Sequence, residues 1–220
     1  MRYEARAERH HRVAFNPAFT MRQGLLLMLA AVMCTAASRA ADTPPIVVQH
    51  LVDSVTAVLA EKGLTAEQKR KRIEEIAYVQ FNFETISKLV LARNWRDLSP
   101  AQQKEFMEEF KRHLTVTYGK NVESYNNERA VVVGDRAEAR EDWTVKTKIL
   151  RPNAAEVLVD YRLRKDPDGE WRIIDVIIEG VSLVANFRSQ FQEIITTSGT
   201  PKLIELLREK NAKGEPLKAS

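Results

Sequence analysis

The chain has 220 residues, 44% hydrophobic and 29% charged, with a formal net charge of +4; this excludes fibrous and disordered classes and suits one globular domain. Residues 1–40 contain six arginines and two glutamates, so the remainder holds 28 basic against 28 acidic groups. The basic excess belongs to the N-terminal segment, which removes the inference from basicity to a nucleic-acid partner.

In chain order, the first element is a targeting segment. Arg22, the apolar run from Leu25 to Val32 and the Ser38-Arg39-Ala40 site read as a secretory signal cleaved near Ala40. The run is too short to cross a bilayer, which takes about 20 apolar residues. Met21 reads as the initiator, and residues 1–40 are set aside as presequence. The only cysteine, Cys34, lies inside the signal, so the mature chain needs no disulfide in an oxidising compartment. Met33 stands where lipidation signals place a small residue, so Cys34 is not read as an anchor.

Val47, Leu51, Val55 and Leu59 recur every four residues and predict an amphipathic helix ending near Gly63. Thr65-Ala66-Glu67-Gln68 is a capping-box pattern that starts a second helix, with Ile73, Ile76 and Ala77 on its buried side. Asn82 caps a third, short helix carrying Phe83, Ile86, Leu89 and Val90. Ser99-Pro100-Ala101-Gln102 opens a long fourth helix whose stripe is Phe106, Phe110, His113, Leu114, Thr117 and Tyr118. From about residue 128 the period changes to two. Turn signals at Gly134-Asp135, Pro152-Asn153 and Pro167-Asp168-Gly169 then predict four antiparallel strands, the last from Trp171 to Glu179 and apolar on both sides. Val181 to Ser198 returns to helical spacing, and Gly199-Thr200-Pro201 stops that helix and starts another. The expected class is α+β, a four-stranded antiparallel sheet with helices on one face. The domain is expected over residues 41–210, followed by a polar tail over 211–220.

The chemistry of sites is sparse. The mature chain keeps only His50 and His113, too few for a histidine and cysteine metal centre, and His113 reads as a satisfied core imidazole. Gly180-Val181-Ser182 lacks the second glycine of a nucleophile elbow, so Ser182 reads as a helix cap. The glycines are scattered singly, which argues against a phosphate loop. Asp175, in the apolar last strand, needs a partner such as Arg188, with a role in ligand-gated opening as the sharper idea. Lys69 to Arg72 reads as a solvated helix face. No cofactor, metal or catalytic residue is expected.

The run Trp171-Arg172-Ile173-Ile174-Asp175-Val176-Ile177-Ile178-Glu179-Gly180-Val181-Ser182-Leu183-Val184-Ala185-Asn186-Phe187-Arg188-Ser189-Gln190-Phe191 resembles the MlaC family, the toluene-tolerance or phospholipid-binding ABC-transport auxiliary proteins. A second block agrees: Phe81-Asn82-Phe83 followed by Leu89, Trp95, Ser99, Gln102, Phe106, Phe110, Leu114 and Tyr118. Asn82 stands where many members carry Asp, and Ala92 replaces a common Gly. The resemblance implies a cone like that of nuclear transport factor 2 (NTF2-like), extended by helices. It also implies a periplasmic phospholipid shuttle between an outer-membrane lipoprotein complex and an inner-membrane ABC transporter with an MCE-domain protein.

By analogy with the family's pocket, Val145, Val157, Val159, Tyr161, Ile174, Val176 and Ile178 are expected to line the sheet side of a lipid cavity. Phe106, Phe110, Leu114, Leu183, Val184, Phe187 and Phe191 are expected on the helix side. The alternatives are a hopanoid or other polycyclic lipid as cargo, an enzyme on the same cone with Asp175 and Tyr161 as its pair, and an adaptor with a filled core.

Overall fold

The computed structural model describes residues 42–119 and 125–217; the expected presequence, with Cys34 and the expected cleavage position, lies outside the described residues. Helix α1 (Pro44–Ala60) is followed by α2 (Ala66–Gln80), α3 (Phe83–Leu91) and α4 (Pro100–Tyr118). Strands β1 (Arg129–Ala137), β2 (Trp143–Arg151), β3 (Ala154–Lys165), β4 (Trp171–Ile178) and β5 (Val181–Ser182) form one antiparallel sheet in sequence order, and α5 (Leu183–Ser198) and α6 (Thr200–Lys213) close the chain. Both capping boxes form as the sequence requires. Thr65 accepts from the Gln68 amide while the Gln68 side chain accepts from Thr65 N–H, and Ser99 and Gln102 repeat the exchange.

The sheet has five strands where four were expected, because Val181 and Ser182 pair back onto Ile178 and Ile177. Two turn expectations also change. Gly134-Asp135 is not a turn: β1 runs through it, and the register slips between Val132 and Gly134, so the glycine accommodates a bulge. The reversal comes instead at residues 138–142, where Glu138 N–H bonds to Asp142 O and Arg140 and Glu141 take positive φ. A second bulge lies in β4. Leu163 faces Ile173 and Arg162 faces Asp175, so Ile174 is the extra residue.

That bulge corrects the expected parity of the last strand. Ile173, not Ile174, joins Val176 and Ile178 on the face shared with Tyr161 and Val159. Helix α1 lies across this face, burying Val47, Val48, Leu51 and Val52 against Val145, Leu163 and Ile173. Each such side chain contributes about 1.5–3 kcal/mol. A second core is mainly helical: Phe106, Phe110, Phe187 and Phe191 pack with Ile86, Val90, Leu203 and Leu207, and the ring pairs Phe106–Phe191, Phe110–Phe187 and Phe110–Phe191 meet edge to face. Phe81 touches both cores. The chain is pinned there because Asn82 N–H bonds to Ile173 O and the Asn82 amide donates to Asp166 at 2.6 Å while its oxygen caps α3. An aspartate at 82 would cap equally well but could not donate to Asp166.

Ala92, in the position of the common glycine, has φ 50° and ψ −123°, a backbone region that favours glycine. Helix α6 runs past the expected start of the tail at residue 211. Asn211 is buried, accepts from His113 Nδ1 through its Oδ1 at 3.1 Å and donates to Glu109 O, while Leu217 N–H donates to His113 Nε2. One neutral tautomer satisfies both bonds, with Nδ1–H donating to Asn211 and Nε2 accepting.

Burial depresses the pKa of His113, with the Asn211 bond acting weakly the other way. The unfolded chain takes up this proton near about 6.5, whereas the fold resists it until lower pH. The unfolded state therefore holds more protons in that window, and stability falls as pH drops from about 6.5 towards the depressed folded value. Urea midpoints at pH 7.5 and 5.5 should show this slope in the wild type and a smaller one in His113→Gln; equal slopes would refute the assignment.

Candidate functional site

The apolar stripe of α2 does not end in a packed core. The helix buries no residue fully, and its inner side borders two hollows. The first, about 440 Å³, lies between α1, α2 and the sheet, with walls from Val52, Val55 and Leu59, from Ile73 and Ala77, and from Ile149, Tyr161 and Val176. The second, about 260 Å³, lies between α2 and α4 and is walled by Tyr78, Leu114, Tyr118 and Leu183. Ile73, Ala77, Phe81 and Val176 belong to both linings, so the two spaces adjoin across one thin apolar partition. Close-packed interiors leave few voids larger than a water molecule. Spaces of this size fall at or near the range of about 300–1,000 Å³ that ligand pockets occupy.

Polar groups sit at the margins. Tyr125 and Glu128 border the first hollow beyond the start of β1. At the second, the Thr115 hydroxyl and the Tyr78 hydroxyl both donate to Glu74 at 2.7 Å, and the Lys111 ammonium stands 4.5 Å over the Tyr78 ring. The Thr115–Glu74 bond and the Lys111–Tyr78 contact join α2 to α4, and these groups form the polar part of that hollow's wall. Tyr161 is the exception at depth: desolvation pushes its phenol up to about 12, so it stays neutral.

The expected lining residues divide among several places. Tyr161 and Val176 wall the first hollow, and Leu114, Val176 and Leu183 wall the second. Phe110, Val184 and Phe187 border a void of about 40 Å³ behind them. Phe106 and Phe191 lie inside the helical core and Val145 inside the α1–sheet core. Val157, Val159 and Ile178 continue the cavity face one and two rows beyond Tyr161 and Val176, outside both linings. Ile174 lies on the opposite face beside Asp175.

Helices α1 and α2 supply walls that sequence reasoning assigned to packing. The available signal was that Ile73 and Ala77 on α2, an otherwise strongly charged helix, lead in four-residue steps to its C-cap Phe81.

Asp175 does not pair with Arg188. It accepts from the Ser182 hydroxyl at 2.6 Å and from Val184 N–H at 3.1 Å, with Arg162 at 3.9 Å, whereas Arg188 donates to Leu89 O. Ser182 is the α5 cap, accepting from Ala185 N–H. Tyr161 and Asp175 fall on opposite faces of the sheet, so they cannot act as one catalytic pair. Among the described residues, no three metal-ligating side chains converge.

Residues 49–209 match the family model described as MlaC protein. The chain is 30% identical over 187 residues to the Toluene tolerance protein ttg2D of Pseudomonas putida, covering 81% of this chain and 84% of that protein. It is 21% identical over 194 residues to the Intermembrane phospholipid transport system binding protein MlaC of Haemophilus influenzae, covering 84% and 90%. Among solved structures, it is similar to the phospholipid-binding protein from Ralstonia solanacearum in complex with a phospholipid. The TM-score is 0.71 at 25% identity, covering 79% of this chain and 99% of that one.

Proposed function

The chain belongs to the MlaC family, and on that premise we propose that it is a phospholipid carrier of an intermembrane transport system, with acyl chains held in the two hollows beside α2. The observation that carries this reading is the pair of adjoining apolar spaces sharing Ile73, Ala77, Phe81 and Val176. A lipid tail leaving a bilayer forfeits about 0.8 kcal/mol per methylene unless it enters an equally dry space. The walls supply that dryness, and the polar margin at Tyr125 and Glu128 leaves the headgroup in water. Few polar anchors also permit several headgroups, because apolar pockets discriminate weakly.

Two spaces divided by a partition suit two flexible chains better than one rigid polycyclic ring system, which favours phospholipid over hopanoid cargo. The carrier works in the periplasm after removal of the presequence. There it receives and delivers lipid at an outer-membrane lipoprotein complex and an inner-membrane ABC transporter with an MCE-domain protein.

Native mass spectrometry of protein purified from the periplasm should record the mass of one two-chain phospholipid per chain. Recovery of a polycyclic lipid instead, or of no lipid from freshly isolated protein, would overturn the assignment.

A further inference from the structure

On the face of the sheet turned away from the hollows, a cleft of about 220 Å³ lies between the β1–β2 turn, β3, β4 and the start of α5. Four arginines line it, Arg140, Arg162, Arg164 and Arg188, against two carboxylates, Asp142 and Asp175. Both carboxylates are already committed. Asp142 takes two bonds from Arg164, at 2.6 and 2.8 Å. Asp175 accepts from Ser182 and from the first turn of α5, whose positive end it neutralises, and stands no closer than 3.9 Å to the Arg162 guanidinium. Glu138 lies within electrostatic reach of Arg162 but is bonded to Arg136 and Thr144.

Three guanidiniums are left with donors to spare. Arg188 gives one N–H to the neutral Leu89 carbonyl. Arg140, at the tip of the β1–β2 turn with φ 62°, lines the cleft from the other side. A guanidinium carries five N–H donors in a planar fork suited to paired oxygens.

We propose that this cleft is an anion site that takes a phosphate group, held by Arg140, Arg162 and Arg188. The cleft shares no lining residue with either hollow, so a lipid whose chains fill the hollows does not supply that phosphate. The source is either free phosphate or the headgroup of an anionic phospholipid at a bilayer surface.

Calorimetric titration of the purified protein with inorganic phosphate, against chloride at matched ionic strength, addresses the first source. Flotation with phosphatidylglycerol vesicles, compared with phosphatidylcholine vesicles, addresses the second. At least one of these probes is expected to bind, and about tenfold more weakly to Arg140→Ala/Arg162→Ala. Heat on phosphate addition assigns the free anion, and vesicle binding without it assigns the headgroup. The lysine pair Arg140→Lys/Arg162→Lys keeps the charge but not the fork, and should bind several-fold more weakly even if the alanine pair misfolds. Absence of binding to both probes, or both pairs binding like wild type, would overturn the proposal. Lipid content by native mass spectrometry should be the same in the lysine pair as in wild type, which separates failure here from failure of the carrier reading.

Discussion

Val176→Trp is expected to strip the protein of lipid, with occupancy down more than about tenfold, while the chain stays folded. Val176 is half-buried because it faces space, not packed atoms, and it is one of four residues common to both hollows. An indole there fills volume that the two acyl chains would otherwise share. The protein around it need not move, so the overpacking penalty of about 1–3 kcal/mol seen in filled cores should be largely avoided. Val159→Trp is the contrast. That side chain is buried one row further along the same face and outside both linings, so the bulk should cost stability in full. Native mass spectrometry reads the lipid and urea unfolding reads the fold. Full lipid recovery from a folded Val176→Trp protein would refute the placement of the acyl chains.

What the sequence made legible, and what it hid, follows from how local each signal is. Capping at Thr65, Ser99 and Ser182 depends on residues within one turn of each other, so the helix starts could be read directly. The bulge at Ile174 could not, because it arises only when β4 aligns against β3, and it shifts Ile174 away from the face assigned by strict alternation. The cavity walls were hidden for a related reason. An apolar stripe such as Ile73 and Ala77 looks the same whether it meets a core or a void, and that difference lies in the distance to other elements. The run from Trp171 to Phe191 identified the family, yet three of its polar residues, Asp175, Glu179 and Ser182, build the β4–α5 corner. Glu179 and Gly180 both take positive φ, Glu179 accepts from Leu158 N–H, and Asp175 and Ser182 start the helix. The motif thus places α5 and gives Val176 and Leu183 to the walls, while the other walls are recruited from weaker patterns elsewhere.

Asp175→Ala should therefore destabilise the fold by about 2–4 kcal/mol, the larger effect among changes at that corner. Two costs combine. Leaving the buried Val184 N–H unpaired costs about 1–3 kcal/mol, and releasing the Ser182 hydroxyl, which Asp175 holds in place to cap α5, costs up to the worth of that cap, about 0.5–2 kcal/mol. Ser182→Ala removes only the partner that also caps Ala185, so its expected cost is nearer 1 kcal/mol. Because the two side chains share one hydrogen bond, the double variant should cost less than the sum of the singles. Urea unfolding of all three variants tests this. Wild-type stability in Asp175→Ala, or strict additivity, would mean that Asp175 does not hold the start of α5. Lipid content supplies the functional arm: Leu183 and Val184 open α5 and face the second hollow and the void behind it. Loosening that turn should lower lipid occupancy even though Asp175 itself stands outside both hollows.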